Sequence, residues 1–322
     1  MSKPFRRGLV VGTFAPLHRG HQLVIEAALA ACDHVTVMTW ANPDYEAMPT
    51  SVRAGWVRTL YPGVEVVAIE ADDAPLDSAP DAIQQAFTEA VLPRPVDAVF
   101  TSEAYGDPLA ARLGAEHVEV DRARRQVPVS GTQIRADVHA HRAWLDPRVH
   151  AHFVQKVVFL GAESTGKSTL AQALAAELDE PYVEEVGRRL WVAAGGDLPL
   201  DQYVTICREH VALEEEAVLK AERFVFVDTN AITTQQYAFF FFGACPEAVR
   251  AYADRCADRY DRTFVCAPDI PFDQDGTRVH PQVQQYQNGA IRNDLTIRGI
   301  PYTVVGGTLA ERVAAVRRHL GV

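Results

Sequence analysis

Paired cysteines are missing from this chain. Its five cysteines, Cys32, Cys207, Cys245, Cys256 and Cys266, include no C-x-x-C and no metal-ligand spacing, which argues against a disulfide framework and suits reduced thiols in the cytoplasm. A long apolar run is also lacking. The most apolar stretch, residues 237–244, falls far short of the ~20 residues a membrane helix needs, so no membrane insertion is expected. The basic start, Lys3 to Arg7, is followed by Pro16, His18 and His21, which spoil a secretory signal. The third absence is positive charge. With 42 acidic residues against 31 Lys and Arg, the formal net charge is -11, which disfavours nucleic acid or an anionic membrane as partner. A phosphate site must therefore be a local exception to a negative field. What is present is a globular composition, 48% hydrophobic and 23% charged over 322 residues, enough for two domains that each bury a core. No internal repeat or low-complexity tract is visible.

Two phosphate-handling patterns stand out, one opening each half. In the first half, residues 8–12 are a short apolar run ending in glycine, residues 22–31 are helical in composition, and residues 32–40 are again β-branched and apolar. Strand, loop, helix, strand is the βαβ unit of an open parallel sheet, whose ligands lie beyond the carboxyl ends of the strands. That is where Gly12-Thr13-Phe14-Ala15-Pro16-Leu17-His18-Arg19-Gly20-His21 falls. Gly12 lets a phosphate approach the backbone, Pro16 stiffens the turn, and Gly20 with His21 begins a helix whose amino-terminal amides favour an anion. His18 and His21, three apart, can face one triphosphate and stabilise charge on an α-phosphate and its departing pyrophosphate.

This G-x-F-x-P-x-H-x-G-H run resembles the signature of the nucleotidyltransferase superfamily. Val129-Ser130-Gly131-Thr132-Gln133-Ile134-Arg135 is similar to its second element, I-S-x-T-x-x-R. Ser130 and Thr132 offer hydroxyls at a helix start, and Arg135 a guanidinium for the β/γ-phosphates. Between the two motifs, residues 50–56 read as a helix carrying Arg53 and Trp56 toward the acceptor, or equally as a solvated arginine and a core tryptophan. Trp40 ends the second strand, where its ring can stack on a ligand. Thr101, Ser102 and Glu103 follow the strand at residues 97–100 and can meet ribose or adenine. Asp72 and Asp73 read as solvated loop. Residues 138–153 hold His139, His141, His150 and His152; residues two apart do not share a helix face, so this stretch reads as helix and linker, with a domain boundary near Asp146-Pro147.

In the second half, residues 156–160 are a compact strand and residues 169–178 a helix, separated by Gly161-Ala162-Glu163-Ser164-Thr165-Gly166-Lys167-Ser168. This is a complete P-loop pattern in the context it requires. The backbone from Gly161 through Glu163, Ser164 and Thr165 cradles phosphates, Lys167 reaches the β/γ-phosphates, and the Ser168 hydroxyl binds Mg²⁺, with Thr169 beside it. Asp228 ends the apolar strand at residues 224–228 and takes the second magnesium-holding position. Arg188 can meet the acceptor, and Glu185 can bind a ribose hydroxyl or accept its proton. Residues 273–278 read as a lid whose Arg278 closes over the γ-phosphate. Residues 214–216, all glutamate, read as solvated surface, and the four phenylalanines 239–242 as core. Residues 301–305 form a last strand and residues 309–320 a closing helix with basic residues near its end.

Taken in order, H-x-G-H, S-x-T-x-x-R, G-A-E-S-T-G-K-S, E-x-G-R-R and Asp228-Thr229-Asn230-Ala231-Ile232-Thr233-Thr234-Gln235 resemble the NadR-type family of bifunctional nicotinamide mononucleotide adenylyltransferases and ribosylnicotinamide kinases, over nearly the whole chain. The resemblance implies an α/β protein of two doubly wound parallel-sheet domains: a Rossmann-like nucleotidyltransferase at 1–150 and a P-loop nucleoside kinase at 151–322. It implies that the kinase phosphorylates nicotinamide riboside with ATP and Mg²⁺ and that the transferase adds AMP to the mononucleotide, releasing NAD. By the same resemblance His18, His21, Ser130, Thr132 and Arg135 serve ATP in the first site, where Gly12, Thr13 and Phe14 of the glycine-led turn are further ATP-binding candidates. Gly166, Lys167, Ser168, Thr169 and Asp228 serve ATP-Mg in the second; Trp40, Arg53, Glu185, Arg188 and Asn230 are, from their positions, the candidates to face acceptors. Two positions depart: Asn230 stands where some members carry a second acid, and Gly131 where serine is frequent. Members that repress transcription bear an amino-terminal helix-turn-helix; the first strand begins too early here for one, so an enzyme without DNA binding is expected. Alternatives are the same pair of folds acting on another phosphorylated metabolite, or a nucleotide-sensing regulator with weak turnover. Oligomeric state, including a homo-oligomer, and nicotinamide versus nicotinate preference stay open.

Overall fold

The computed structural model describes residues 2–41, 45–70, 73–76, 78–270 and 281–322. The chain divides into two compact units, residues 1–152 and 153–322. In the first, the elements run β1 Phe5–Val11, α1 Arg19–Ala31, β2 Cys32–Trp40, α2 Thr50–Leu60, β3 Glu65–Ile69, α3 Asp81–Val91, β4 Ala98–Thr101, α4 Gly106–Leu113, β5 Glu116–Glu119, α5 Gly131–Ala136 and α6 Pro147–His150. In the second they run β6 Gln155–Leu160, α7 Lys167–Leu178, β7 Tyr182–Val183, α8 Val186–Ala193, α9 Gln202–Val218, β8 Phe224–Asp228, α10 Ala231–Phe242, α11 Glu247–Asp254, α12 Cys256–Arg259, β9 Arg262–Cys266, α13 Pro281–Ile297, β10 Thr303–Val305 and α14 Leu309–Leu320.

Each unit carries one five-stranded sheet with every strand pair parallel. The orders are β3-β2-β1-β4-β5 and β10-β9-β6-β8-β7. In both, the strand that leads into a phosphate motif is central and its chain turns aside between two neighbours, the switch point where such sheets bind ligands. Parallel central strands are covered on both faces and so read as unbroken apolar runs; the whole of β8, FVFVD, is buried. Gly8 allows β1 its close fit, since a Cβ there would lie 2.6 Å from Cys32 Sγ. One face of the second sheet packs Val157, Phe159, Phe226 and Phe264 against Leu170 and Leu174 of α7 and Val316 of α14. A separate cluster joins Val186 of α8, Tyr203, Ile206 and Cys207 of α9, Ala238 of α10 and Val249 of α11.

Two expectations are corrected. The rings of residues 239–242 are not core: Phe239, Phe240, Phe241 and Phe242 are 42–55% exposed. Successive helical residues point about 100° apart, so four adjacent rings cannot all enter one core. The glutamates at 214–216 are not uniformly solvated, because Glu214 is completely buried while Glu215 and Glu216 are exposed. Residues 138–153, read as helix and linker, form short helical turns at Arg142–Trp144, Pro147–His150 and Ala151–Phe153. Asp72 and the 273–278 segment with Arg278 lie outside the described residues. No helix among the described residues is long and apolar enough to cross a membrane.

Candidate active sites

In the first unit the chain leaves β1 at Gly12, whose N–H donates to the Met38 carbonyl, and passes through Phe14 at φ 50° and a cis Ala15–Pro16 bond. The buried Phe14 ring meets His21 edge-on at 5.0 Å. His18 caps α1: its Nδ1 accepts from the Gly20 N–H at 3.0 Å. A ring nitrogen that accepts carries no hydrogen, so in the neutral ring Nε2 is the donor. His21 stacks against His18 with 3.9 Å between centroids, and its Nδ1 accepts from the His18 N–H at 3.4 Å. Burial, then Arg124 and Arg135, push His18 down to about 4. Burial and the neighbouring His18 hold His21 well below the ordinary histidine range, against the opposing Pro16 carbonyl. Both rings are therefore uncharged at neutral pH, and His18 carries its ring hydrogen on Nε2.

The cations around them are placed by backbone architecture. Arg135 of α5 donates from Nη1 to the Ala15 carbonyl at 2.6 Å and from Nη2 to Thr132 Oγ1 at 3.0 Å, and its guanidinium lies 4.9 Å from the Tyr45 ring centre. Asp121 accepts from the N–H groups of Arg125, Gln126 and Val127, tightening the turn that carries Arg124. Gly131 sits at the meeting point: a Cβ there would lie 3.1 Å from Arg135 Nη1, 3.5 Å from the Ala15 carbonyl and 3.8 Å from His18 Nε2. Ser130 is a helix cap, exchanging hydrogen bonds with Gln133 in both directions.

Other expected contacts fall elsewhere. Arg53 is fully buried and donates to the carbonyls of Met48, Thr13 and Trp40 and to Thr50 Oγ1. It fastens the Thr13 turn to the end of β2 instead of reaching outward. Trp40 meets Phe87 edge-on and packs on the Leu9 and Met38 cluster, and Trp56 is core. Thr101 Oγ1 bonds His117 Nε2 at 3.0 Å, and His117 Nδ1 bonds Asp107 at 2.7 Å, which orders the start of the β4–α4 loop. His152 Nε2 bonds the Ala47 carbonyl, and no group of metal-ligating side chains occurs among the described residues.

In the second unit the loop between β6 and α7 adopts two conformations that favour glycine, Gly161 at φ 140° and Gly166 at φ 79°. A Cβ on Gly161 would come within 2.9 Å of the Cys266 carbonyl. Thr165 Oγ1 and Lys167 Nζ both donate to the Ala162 carbonyl, at 2.8 and 2.9 Å, so the loop is cross-braced from within. Asp228 at the end of β8 is completely buried. Its Oδ2 accepts from the Tyr182 hydroxyl at 3.2 Å, while Oδ1 has no partner among the described residues. Burial pushes the Glu185 carboxyl above its ordinary range; Lys167 and Arg188 pull it back, and Asp228 and Glu163 push it further. Glu163 accepts from the Tyr237 hydroxyl at 3.1 Å. Asn230 Oδ1 caps α10 by accepting from the Ile232 N–H.

A cavity of about 720 Å³ opens onto these groups. Glu163, Ser164, Gly166, Lys167, Ser168 and Thr169 line one part, and Glu185, Arg188 and Asn230 another. Aromatic rings of Trp191, Tyr203, Tyr237, Phe241, Phe242 and Tyr252 form much of the remaining wall.

Arg312, which sequence reasoning missed, supports the site without lining it. From α14 it donates to the carbonyls of Thr165, Gly307 and Ala267 and pairs with Asp269, bracing the P-loop from behind. Its signal was available, since Arg312 lies four residues before the buried Val316 on one helical stripe. Tyr182 and Tyr237 were missed as well, and nothing local in sequence marks them.

Residues 156–312 match the protein family described as AAA domain. The trifunctional NAD biosynthesis/regulator protein NadR of Escherichia coli K12 is 28% identical over 293 residues, covering 84% of this chain and 71% of that protein. The NadR of Salmonella typhimurium matches to the same extent. Among solved structures, a NadR protein in complex with NR aligns over 100% of this chain and 97% of its own at 24% identity and a TM-score of 0.73. The chain is thus similar in sequence to the NadR proteins over most of its length and shares the α/β fold of the solved NadR structure.

Proposed function

We propose that this protein makes NAD in two ATP-dependent steps, one in each unit. The second unit transfers the γ-phosphoryl group of ATP to the 5′-hydroxyl of nicotinamide riboside, giving the mononucleotide and ADP. The first joins that mononucleotide to AMP from a second ATP, releasing NAD and pyrophosphate. The observation that carries the proposal is the cavity that leads from Lys167 and Glu185 into aromatic walls. A pyridinium riboside is a cation on a flat ring, and aromatic faces favour such a group. The NadR relatives support the same reading, since one was solved with NR and another with NAD and AMP-PNP.

In the kinase step Lys167 and the amides of the P-loop orient the phosphates. Glu185, with its raised affinity for protons, takes the hydrogen of the attacking hydroxyl. The oxygen then bonds the γ-phosphorus as the bond to the β-phosphate oxygen breaks. Ser168 and Asp228 would hold Mg²⁺, for which the unpartnered Asp228 Oδ1 is a suitable donor; the ion supplies positive charge to the β/γ-phosphates. In the transferase step an oxygen of the mononucleotide phosphate bonds the α-phosphorus and pyrophosphate departs. Arg135 and the His18 Nε2–H donate to the charge that builds there, and no covalent intermediate with the protein is formed. The test is incubation of the full chain with nicotinamide riboside, ATP and Mg²⁺ under chromatography. The mononucleotide should appear first and NAD second; absence of both products above background overturns the proposal.

A further inference from the structure

The cavity of the second unit ends against a buried ionic cluster that the phosphoryl-transfer chemistry does not use. Besides the P-loop, its lining includes His210 on α9 and Arg255, Cys256, Arg259 and Tyr260. Behind His210 lies Glu214. One of its oxygens accepts from the Tyr260 hydroxyl at 2.6 Å and meets His210 Nδ1 at 3.2 Å. The other accepts from Arg259 Nε at 2.6 Å, with Lys156 Nζ at 3.7 Å. Burial pushes Glu214 up, but its bonds with His210, Arg259 and Tyr260 outweigh this and hold the carboxyl below its ordinary range.

A carboxylate only accepts, so the Nδ1 that faces it carries the ring hydrogen, and Nε2 of the neutral ring is left with its lone pair. That atom is buried and has no hydrogen-bond partner among the described residues, although His210 lines the cavity. A buried acceptor left unpaired costs free energy, which a ligand donor recovers. The neighbouring cations do not change the sign: Arg259 is committed to Glu214 and Glu215, and Arg255 is exposed to solvent.

We propose that His210, oriented by Glu214, is the specificity-determining residue that selects a pyridine carboxamide over a pyridine carboxylate on the riboside acceptor. The amide NH₂ donates to Nε2. A carboxylate in the same place brings a second acceptor against that lone pair, with the Glu214 charge behind it. The inference rests on the kinase reading above, and deepens it by fixing which pyridine riboside is taken.

The test compares kcat/KM for nicotinamide riboside and nicotinic acid riboside on the same preparation of full-length protein, so that loss of folded material cancels in the ratio. The unmodified protein should favour the amide. His210→Leu should lower kcat/KM for the amide about 10-fold, the loss of one buried hydrogen bond, and leave the acid nearly unchanged. Glu214→Gln is the second variant: its amide can donate to Nδ1, which moves the ring hydrogen to Nε2 and should raise the acid relative to the amide. A ratio unchanged in His210→Leu, or equal use of both ribosides by the unmodified protein, overturns the assignment while leaving the kinase intact. Phosphorylation of neither riboside would instead remove the kinase reading, and this inference with it.

Discussion

The two proposed phosphate sites answer the same electrostatic problem by opposite means. Around His18 and His21 the histidines are stripped of charge by burial and by Arg124 and Arg135, so the cationic character resides in guanidinium groups and the rings are uncharged. Around Lys167 a buried ammonium is set among Glu163, Glu185 and Asp228, a cluster with more acid than base. An excess of carboxylates beside a polyanion makes sense only if the site also takes a metal cation, or if one acid keeps its proton until the reaction needs it. Under the proposed function, a chain of net charge -11 would hold one triphosphate through local arginines and the other through a cation shared with its own acids.

This contrast is most directly broken by substitution. Lys167→Ala should lower phosphorylation of nicotinamide riboside by about 10²–10³-fold and leave adenylylation of added mononucleotide untouched; His18→Ala should do the reverse. Separate assays of each half-reaction check this, and one substitution that abolishes both in a folded protein would refute independent sites. Next in size, Arg312→Met should unsettle only the second unit, by roughly 2–4 kcal/mol, because the carbonyl of Thr165 and the carboxylate of Asp269 lose a buried partner. Calorimetry should show a lowered transition for one unit alone.

The pH profiles sharpen the comparison further. A base must be unprotonated to act, so the kinase step should decline as pH falls through the raised pKa of Glu185, at a higher pH than an ordinary glutamate near 4.5 would allow. His18 stays neutral down to about 4, so the transferase should hold its rate over that interval. Coincident profiles would contradict the assignment. The smallest effect is expected at Ser130→Ala, which removes the cap of α5 and should cost about 1 kcal/mol in chemical denaturation, with Ser130→Asn restoring most of it.

Much of this organisation was legible in sequence because it is local. Glycine-led turns between an apolar strand and a helix dictate where His18 and Lys167 must lie, and β8 follows directly from its five apolar and acidic residues. What was not legible depends on partners far away in sequence. Arg53 looks like a ligand contact until the carbonyls of Thr13 and Trp40 surround it. Glu214 looks solvated because its neighbours are acids, yet Arg259 and Tyr260 arrive from 45 and 46 residues away. The phenylalanine run failed for a different reason: hydrophobicity was read without the rotation of the helix that carries it.

The strand orders bear on how such a chain arose. Counting strands within each unit, the first sheet reads 3-2-1-4-5 and the second, taken from its opposite edge, 2-3-1-4-5. Turning one into the other requires the second and third strands to trade places, which is a change of threading and not of loop length. The two halves thus differ in threading as well as in sequence, so the likeness of their strand–loop–helix openings gives no ground for reading them as copies of one another.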